Sequence, residues 1–225
     1  TGGGGRHAGS NTFYGEGGND RLASTLGLTV HGGEGDDQLI VFSGSGEAST
    51  AWAVLTGGDG RDSLEAVIIR RDWEQFDLAV PAIDLRLEGG VGNDLLRLAS
   101  DARQGTVRLD GGDGDDFVVL EQLYYETTVL DQRSIALEGG SGYDALVLWE
   151  HNFKEDQPTV IGVNVTFSGF ERVVFSGTTT KITTDALNSI VSGGGGNYGG
   201  SFQHWGTNGI FSLGPFYKNL LSLHL

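Results

Sequence analysis

The chain has 225 residues and is acidic and rich in glycine, with 30 Asp and Glu, 14 Lys and Arg, and 39 Gly. A formal net charge of −16 disfavours nucleic acid and anionic membrane surfaces as partners and favours cations. Because the chain contains no cysteine, disulfides and thiolate metal sites are excluded, and stability must come from packing and hard-cation sites.

Residues 1–10 form a glycine-rich opening segment, TGGGGRHAGS. This composition is typical of a flexible linker, or of a degenerate turn in which His7 stands where an aspartate belongs. The segment lacks the basic and apolar stretches of a signal peptide, so we expect a start that has been processed or truncated. No apolar run approaches the roughly 20 residues that span a bilayer, which predicts a soluble protein without a transmembrane segment.

Six near-identical octapeptides recur between residues 11 and 150. They read GEGGNDRL (15–22), GGEGDDQL (32–39), GGDGRDSL (57–64), GGVGNDLL (89–96), GGDGDDFV (111–118) and GGSGYDAL (139–146). Only the first copy departs from the pattern, with Glu16 at the second glycine position. Such self-similarity indicates a repeat architecture in which each copy contributes one structural unit.

Apolar residues flank each copy with a period of two, which is typical of a strand entering the turn and a strand leaving it. Two residues before the first glycine stand Phe13, Val30, Leu55, Leu87, Leu109 and Leu137. Two residues after the aspartate stand Leu22, Leu39, Leu64, Leu96, Val118 and Leu146. Each copy is therefore predicted to fold as strand, turn, strand, with these residues facing inward.

The glycines and the aspartate of each copy have separate roles. Glycine allows positive φ angles and close approach of the next turn, both of which a Cβ would oppose. An aspartate repeated at one place in stacked turns makes a ladder of like charges, which is unfavourable unless cations lie between the rungs. Calcium fits because it accepts several carboxylate and carbonyl oxygens in a flexible geometry. The alternative is a set of ordinary Asp/Gly turns, which would not require six matching copies.

This pattern resembles the RTX, or hemolysin-type calcium-binding, repeat Gly-Gly-x-Gly-x-Asp-x-apolar-x, over about residues 11–150. The resemblance implies an all-β, right-handed parallel β-roll or β-helix with calcium between neighbouring turns. The implied carboxylate ligands are Asp20, Asp37, Asp62, Asp94, Asp116 and Asp144. The implied carbonyl ligands lie near Gly32, Gly33, Gly35, Gly57, Gly58, Gly60, Gly89, Gly90, Gly92, Gly111, Gly112, Gly114, Gly139, Gly140 and Gly142.

The spacing of the copies departs from the family, in which the motif repeats every nine residues and both edges of a coil bind calcium. Here the first glycines are residues 15, 32, 57, 89, 111 and 139. These spacings predict one calcium-binding turn per coil and variable loops on the opposite edge. Six stacked turns enclose five gaps, so we expect about five calcium ions in one column, with a partial site at an end.

The predicted loops of the opposite edge cover roughly residues 43–52, 70–82, 99–105, 121–133 and 150–160. They carry aromatic residues that form a candidate binding face: Trp52, Trp73, Phe76, Tyr124, Tyr125 and Phe153. Insertions on one edge of a solenoid often build its interaction surface, and exposed aromatics supply contact area in binding sites. Alternatively, these side chains fold inward and cover the open edge of the coil.

Beyond residue 150 the calcium motif is absent. Alternation continues from Val163 to Gly177, which predicts that residues 151–180 form a metal-free capping coil. Residues 181–225 form a glycine-rich tail that ends in FSLGPFYKNLLSLHL. This order resembles that of RTX proteins exported from bacteria by the type I pathway, which implies that the tail is an export signal or a docking segment.

The motifs His-Glu-x-x-His and Gly-x-Ser-x-Gly are absent, and the five histidines are dispersed. We therefore expect no catalytic or cofactor-binding residues other than those for calcium. One hypothesis is a secreted, calcium-dependent structural, adhesive or surface-layer module that contacts other protein subunits. A second is a non-catalytic glycan-binding or stabilising module of an extracellular polysaccharide-modifying enzyme. Enzymatic activity of the solenoid itself is a third.

Overall fold

The computed structural model describes residues 11–43, 51–69, 82–102, 104–124, 132–152, 159–161, 165–176, 180–182, 201–206 and 209–213. These ranges contain 18 β-strands and no helix, so the predicted all-β class is confirmed for the described part. It follows that no described segment is a helix able to cross a membrane.

The strands form two large sheets and one small one. The first sheet has the order β1 (Thr12–Gly17), β3 (Leu28–Glu34), β5 (Ala51–Asp59), β7 (Ile83–Val91), β9 (Gln104–Asp113), β11 (Gln132–Ser141) and β14 (Val165–Ser168). The second contains β2 (Arg21–Thr25), β4 (Gln38–Phe42), β6 (Ser63–Ile68), β8 (Leu95–Ser100), β10 (Phe117–Tyr124), β12 (Ala145–Asn152), β15 (Arg172–Ser176), β17 (Ser201–Gly206) and β18 (Gly209–Leu213). A separate pair joins β13 (Thr159–Ile161) to β16 (Thr180–Ile182).

Each motif copy joins one strand of the first sheet to one strand of the second. In copy two, for example, β3 enters the turn and β4 leaves it. Neighbouring strands from consecutive copies pair in parallel, and β17 with β18 is the one antiparallel pair among the described strands. The chain thus alternates between two parallel sheets, which is compatible with a parallel β-helix or β-roll.

The core lies between the two sheets and is built from columns of equivalent side chains. In the first sheet Val30 pairs with Leu55 and Leu55 with Leu87, and the column continues through Leu109 and Leu137. Its counterpart in the second sheet runs through Leu39, Leu64, Leu96, Val118 and Leu146, each fully buried. The inward positions predicted from the period of two are confirmed, with Phe13 and Leu22 only partly buried at the first coil.

The strands extend further from the turns than the sequence predicts. Trp52 lies in β5 rather than in a loop, and the predicted loop 121–133 begins with four residues that belong to β10. The apolar alternation underestimates these strands because backbone pairing with the neighbouring coil continues past the last inward apolar residue, as between Glu121 and Ala99.

Two glycines provide a direct test of how closely the turns are stacked. Gly92 has φ 135°, and a Cβ there would lie within 3.0 Å of the Gly60 carbonyl oxygen in the preceding coil. Gly17, in the first copy, has no atom within 4 Å of an added Cβ and lies outside the left-handed region. For a residue other than glycine, the positive φ at position 92 alone costs about 1–3 kcal/mol. The clash with the Gly60 carbonyl oxygen adds to that cost.

We predict that Gly92→Ala lowers the free energy of unfolding by at least about 1–3 kcal/mol. Gly17→Ala should change it by no more than about 0.5 kcal/mol, because it is an exposed change without strain. Chemical denaturation of both variants under identical conditions measures the difference. Equal effects of the two substitutions would contradict the stacked-turn geometry.

Candidate metal centre

The sixth residue of each motif copy is an aspartate that faces the interior of the coil. These motif aspartates are Asp20, Asp37, Asp62, Asp94, Asp116 and Asp144. Five of them are buried, with exposed fractions from 3% for Asp37 to 0% for Asp144, while Asp20 in the first coil is partly exposed. Each lies two residues before an inward apolar residue, and side chains two apart in an extended segment share a face.

One carboxylate oxygen of each buried motif aspartate joins consecutive coils. The backbone N–H of Asp94 donates to Oδ1 of Asp116 at 2.8 Å, and the N–H of Asp116 donates to Oδ1 of Asp144 at the same distance. The same bond joins Asp20 to Asp37, Asp37 to Asp62, and Asp62 to Asp94. We call this series the aspartate ladder. It holds the motif aspartates of all six copies in register.

The other oxygen, Oδ2, is buried without a hydrogen-bond partner in all six motif aspartates. A Cβ added to Gly111 would lie within 3.0 Å of both Asp116 Oδ2 and the carbonyl oxygen of Gly139 in the next coil. The equivalent arrangement recurs at Gly15, Gly32, Gly57, Gly89 and Gly139. Two acceptor oxygens thus border the space beside each first glycine, and such a pair is unfavourable when buried unless a proton or a cation lies near it.

Burial changes the acidity of these groups. Desolvation raises the pKa of Asp94 to about 7, although the hydrogen bond from the Asp62 N–H opposes the increase. The pKa values of Asp62 and Asp144 are raised to about 6 for the same reason, with a further contribution from neighbouring carboxylates. Desolvation likewise raises the pKa of Asp37 and Asp116. Carboxylates that are unfavourable in their charged form are ones that a cation would stabilise.

The atoms that could ligate a metal here are oxygens, which suits calcium rather than a metal that prefers nitrogen or sulfur. Within the described residues, no group of three or more His, Cys, Asp or Glu side chains is arranged to hold a metal ion. A cation beside Oδ2 would therefore depend on one free carboxylate oxygen per coil together with backbone carbonyls. The oxygen atoms that border each space are of the kind that calcium accepts as ligands, and the ion itself stays a prediction.

The glycines predicted to supply carbonyl ligands fall into two groups. The carbonyl oxygens of Gly32, Gly57, Gly89, Gly111 and Gly139 border the space beside the first glycine of the preceding coil, which the Oδ2 of that coil also borders. The second and fourth glycines behave differently: the carbonyl oxygens of Gly58 and Gly60 lie against Gly90 and Gly92, their equivalents in the next coil. The first-glycine carbonyls are thus the ones that border the same spaces as the free carboxylate oxygens.

A second ladder, which the sequence pattern did not reveal, lies on the outer side of the turn. The backbone N–H of Asp36 donates to Asn19 Oδ1, and that of Arg61 donates to Asp36 Oδ1. Asn93 and Asp115 accept in the same way from the following copies. Where the fifth motif position is Asn or Asp, it accepts a bond from the next coil, whereas the sixth position accepts one from the preceding coil. The recurrence of Asn and Asp at the fifth position is the sequence signal that could have predicted this second ladder.

The aspartate ladder ends on a residue outside the motif copies. The N–H of Asp144 donates to Oε2 of Glu171 at 2.7 Å. Glu171 was not singled out from the sequence because its segment, SGFERVVF, lacks the glycine pattern. The signal that could have found it is a carboxylate two residues before the apolar residues of β15, the strand that pairs with β12.

Of the predicted aromatic binding face, Trp52 has a described side chain, on the outer surface of β5 with 37% of its area exposed. Trp73, Phe76, Tyr125 and Phe153 lie outside the described residues. Tyr124 ends β10, and its side chain is likewise outside the description. The binding face therefore stays a prediction.

Comparison with known proteins adds no further constraint. No protein-family model matches the chain, and no curated protein or solved structure matches it either.

The raised pKa values predict an unusual pH dependence in calcium-free buffer. Because the folded-state pKa values of Asp62, Asp94 and Asp144 exceed the ordinary 3.8, the fold favours their protonated forms. Stability should therefore decrease as the pH rises from 5 to 8, through these values of about 6 to 7. Thermal unfolding followed by circular dichroism measures this trend. A melting temperature that is constant or rises over the range would contradict it.

Proposed function

We propose that this chain is a secreted calcium-binding β-solenoid of the RTX type, a right-handed parallel β-roll with one calcium-binding turn per coil. Its folding depends on calcium, and it serves as a structural, adhesive or surface-assembly module. The main supporting observation is that, in every motif copy, a buried Asp Oδ2 without a hydrogen-bond partner borders the same space as a glycine carbonyl of the next coil.

The electrostatics of the column support a divalent cation. At neutral pH the charged forms of five buried carboxylates are stacked in successive coils, where each is desolvated and near others of the same sign. Calcium supplies positive charge to such a set and accepts both carboxylate and carbonyl oxygens. The protein's own contribution is to hold the acceptors in line: the aspartate ladder positions each carboxylate, and the glycines bring the next carbonyl close.

Calcium-dependent folding bears on where in or outside the cell the protein is folded. Extracellular calcium modules bind at roughly 10⁻⁴–10⁻³ M, so at cytosolic calcium levels the chain would remain loosely folded. Metal-binding free energy becomes folding free energy when the site exists only in the folded state. A chain that folds only after export suits a secreted or cell-surface protein, and we propose type I export from a bacterium as its route.

Exposed apolar side chains near the turns support an assembly role over catalysis. Leu95 and Phe117 are register partners on the outer surface of the second sheet, with 38% and 42% of their areas exposed. Tyr143, which is 58% exposed, lies two residues before Ala145, the other register partner of Phe117. Five of the motif aspartates, in contrast, are buried inside the coil, where a substrate in solvent does not reach them.

We predict that calcium increases the β-sheet circular dichroism signal and the melting temperature of the native chain at pH 7.5, and that chelation reverses both. Each site that binds only the folded chain adds about 2.7 kcal/mol of stability at a calcium concentration 100 times its Kd. An unchanged β signal after complete chelation would rule out calcium-dependent folding.

Asp94→Asn should reduce the increase in melting temperature that calcium produces, and it should stabilise the calcium-free chain at pH 7.5. Asparagine keeps the acceptor for the Asp62 N–H, removes a buried charge, and offers an NH₂ donor to the neighbouring Gly111 carbonyl. Asp36→Asn is the matched control, because the exposed Asp36 side chain accepts the Arg61 N–H on the outer side of the turn. Thermal melts of both variants with and without calcium test the assignment, and equal calcium responses would contradict it.

A further inference from the structure

The coil that follows the sixth motif copy continues the geometry of the aspartate column without its sequence. Arg172 pairs with Ala145 just as Ala145 pairs with Phe117, so Arg172 occupies the position after the motif aspartate. Glu171, one residue earlier, therefore stands where a seventh motif aspartate would be. The carbonyl oxygen of Asp144 accepts from the N–H groups of both Glu171 and Arg172, at 3.1 Å each.

The turn before Glu171 is shorter than a motif turn. Asp144 follows Gly139 by five positions, but Glu171 follows Gly169 by only two. Gly169 has φ 72°, the left-handed conformation that permits such a tight reversal. The glutamate side chain is one methylene longer than aspartate, and its Oε2 accepts the Asp144 N–H at 2.7 Å. A glutamate on a shortened turn thus takes the role of the next ladder aspartate.

The acceptor pair of the interior coils is present here as well. Asp144 is 0% exposed, and its Oδ2 is buried without a hydrogen-bond partner. A Cβ on Gly139 would lie within 3.0 Å of both this oxygen and the Gly169 carbonyl oxygen. This repeats the arrangement between Asp116 Oδ2 and the Gly139 carbonyl one coil earlier. The space between the sixth turn and the following coil is therefore bordered like the five gaps between motif turns.

We propose that Asp144, Glu171 and the Gly169 carbonyl form a sixth calcium position, which closes the column at its C-terminal end. This inference rests on the proposed calcium function but is separable from it, because the motif count alone provides five gaps. It locates the partial end site expected from the sequence, and it places two of its ligands in the coil at 151–180 that was expected to be metal-free. Glu171 and Gly169 are partly exposed, unlike Asp144, so water competes for the ion here. The sixth position should therefore bind calcium more weakly than the interior ones.

Native mass spectrometry of the full chain across a calcium titration tests the proposal through ion stoichiometry. We expect the native chain to bind six ions, with the weakest binding at the sixth position. Glu171→Gln should bind five, because glutamine keeps an oxygen acceptor for the Asp144 N–H but removes the negative charge. The control Glu34→Gln removes an exposed carboxylate from the outer side of a turn and should still bind six.

The outcomes separate this inference from the function on which it rests. Five ions in the native chain, or the same number in the native chain and Glu171→Gln, would overturn the sixth position and leave the column intact. No bound calcium in the native chain would instead overturn the proposed function. Hydrogen exchange in calcium provides the location: loss of protection in Glu171→Gln should concentrate in residues 139–146 and 165–172.

Discussion

The stacking of the motif turns depends on one hydrogen bond. In it, the backbone N–H of one motif aspartate donates to Oδ1 of the next. It recurs at each step from Asp20 to Asp144, with donor–acceptor distances of 2.7–2.8 Å. A carboxylate acceptor makes this bond stronger than one between neutral groups. Because every bond joins different coils, the ladder fixes the register of the turns, and through them the strands on either side.

Oδ1 of each motif aspartate from Asp37 to Asp144 is occupied by this bond, whereas Oδ2 is buried in an environment that is unfavourable for a charged oxygen. Oδ2 is buried without a hydrogen-bond partner, and it borders the same space as the first-glycine carbonyl of the next coil. Burial raises the pKa of Asp94 to about 7, so in the absence of a cation the fold and the charge oppose each other near neutral pH. A divalent ion and a proton are alternative ways to relieve this constraint, and under the proposed function the calcium concentration decides between them.

Much of this arrangement was predictable from the sequence, because glycine, aspartate and inward apolar residues recur at fixed offsets. The burial of Leu55, Leu96 and Asp116 follows from that period of two. Other features depend on contacts between distant parts of the chain. Glu171 ends the ladder although its turn lacks the motif, and Arg133 faces inward with only 1% exposed at a position where the pattern predicts a loop. The insertions between copies hide such pairings, since coil spacing varies from 17 to 32 residues.

The most direct test of the account is a high-resolution crystal structure of the chain at pH 8 in millimolar calcium, with anomalous differences measured for the ion. We expect an ion in each space bordered by a motif-aspartate Oδ2 and the first-glycine carbonyl of the next coil. A well-ordered structure under these conditions, with no ion and each Oδ2 hydrogen-bonded to the carbonyl through its own proton, would contradict it.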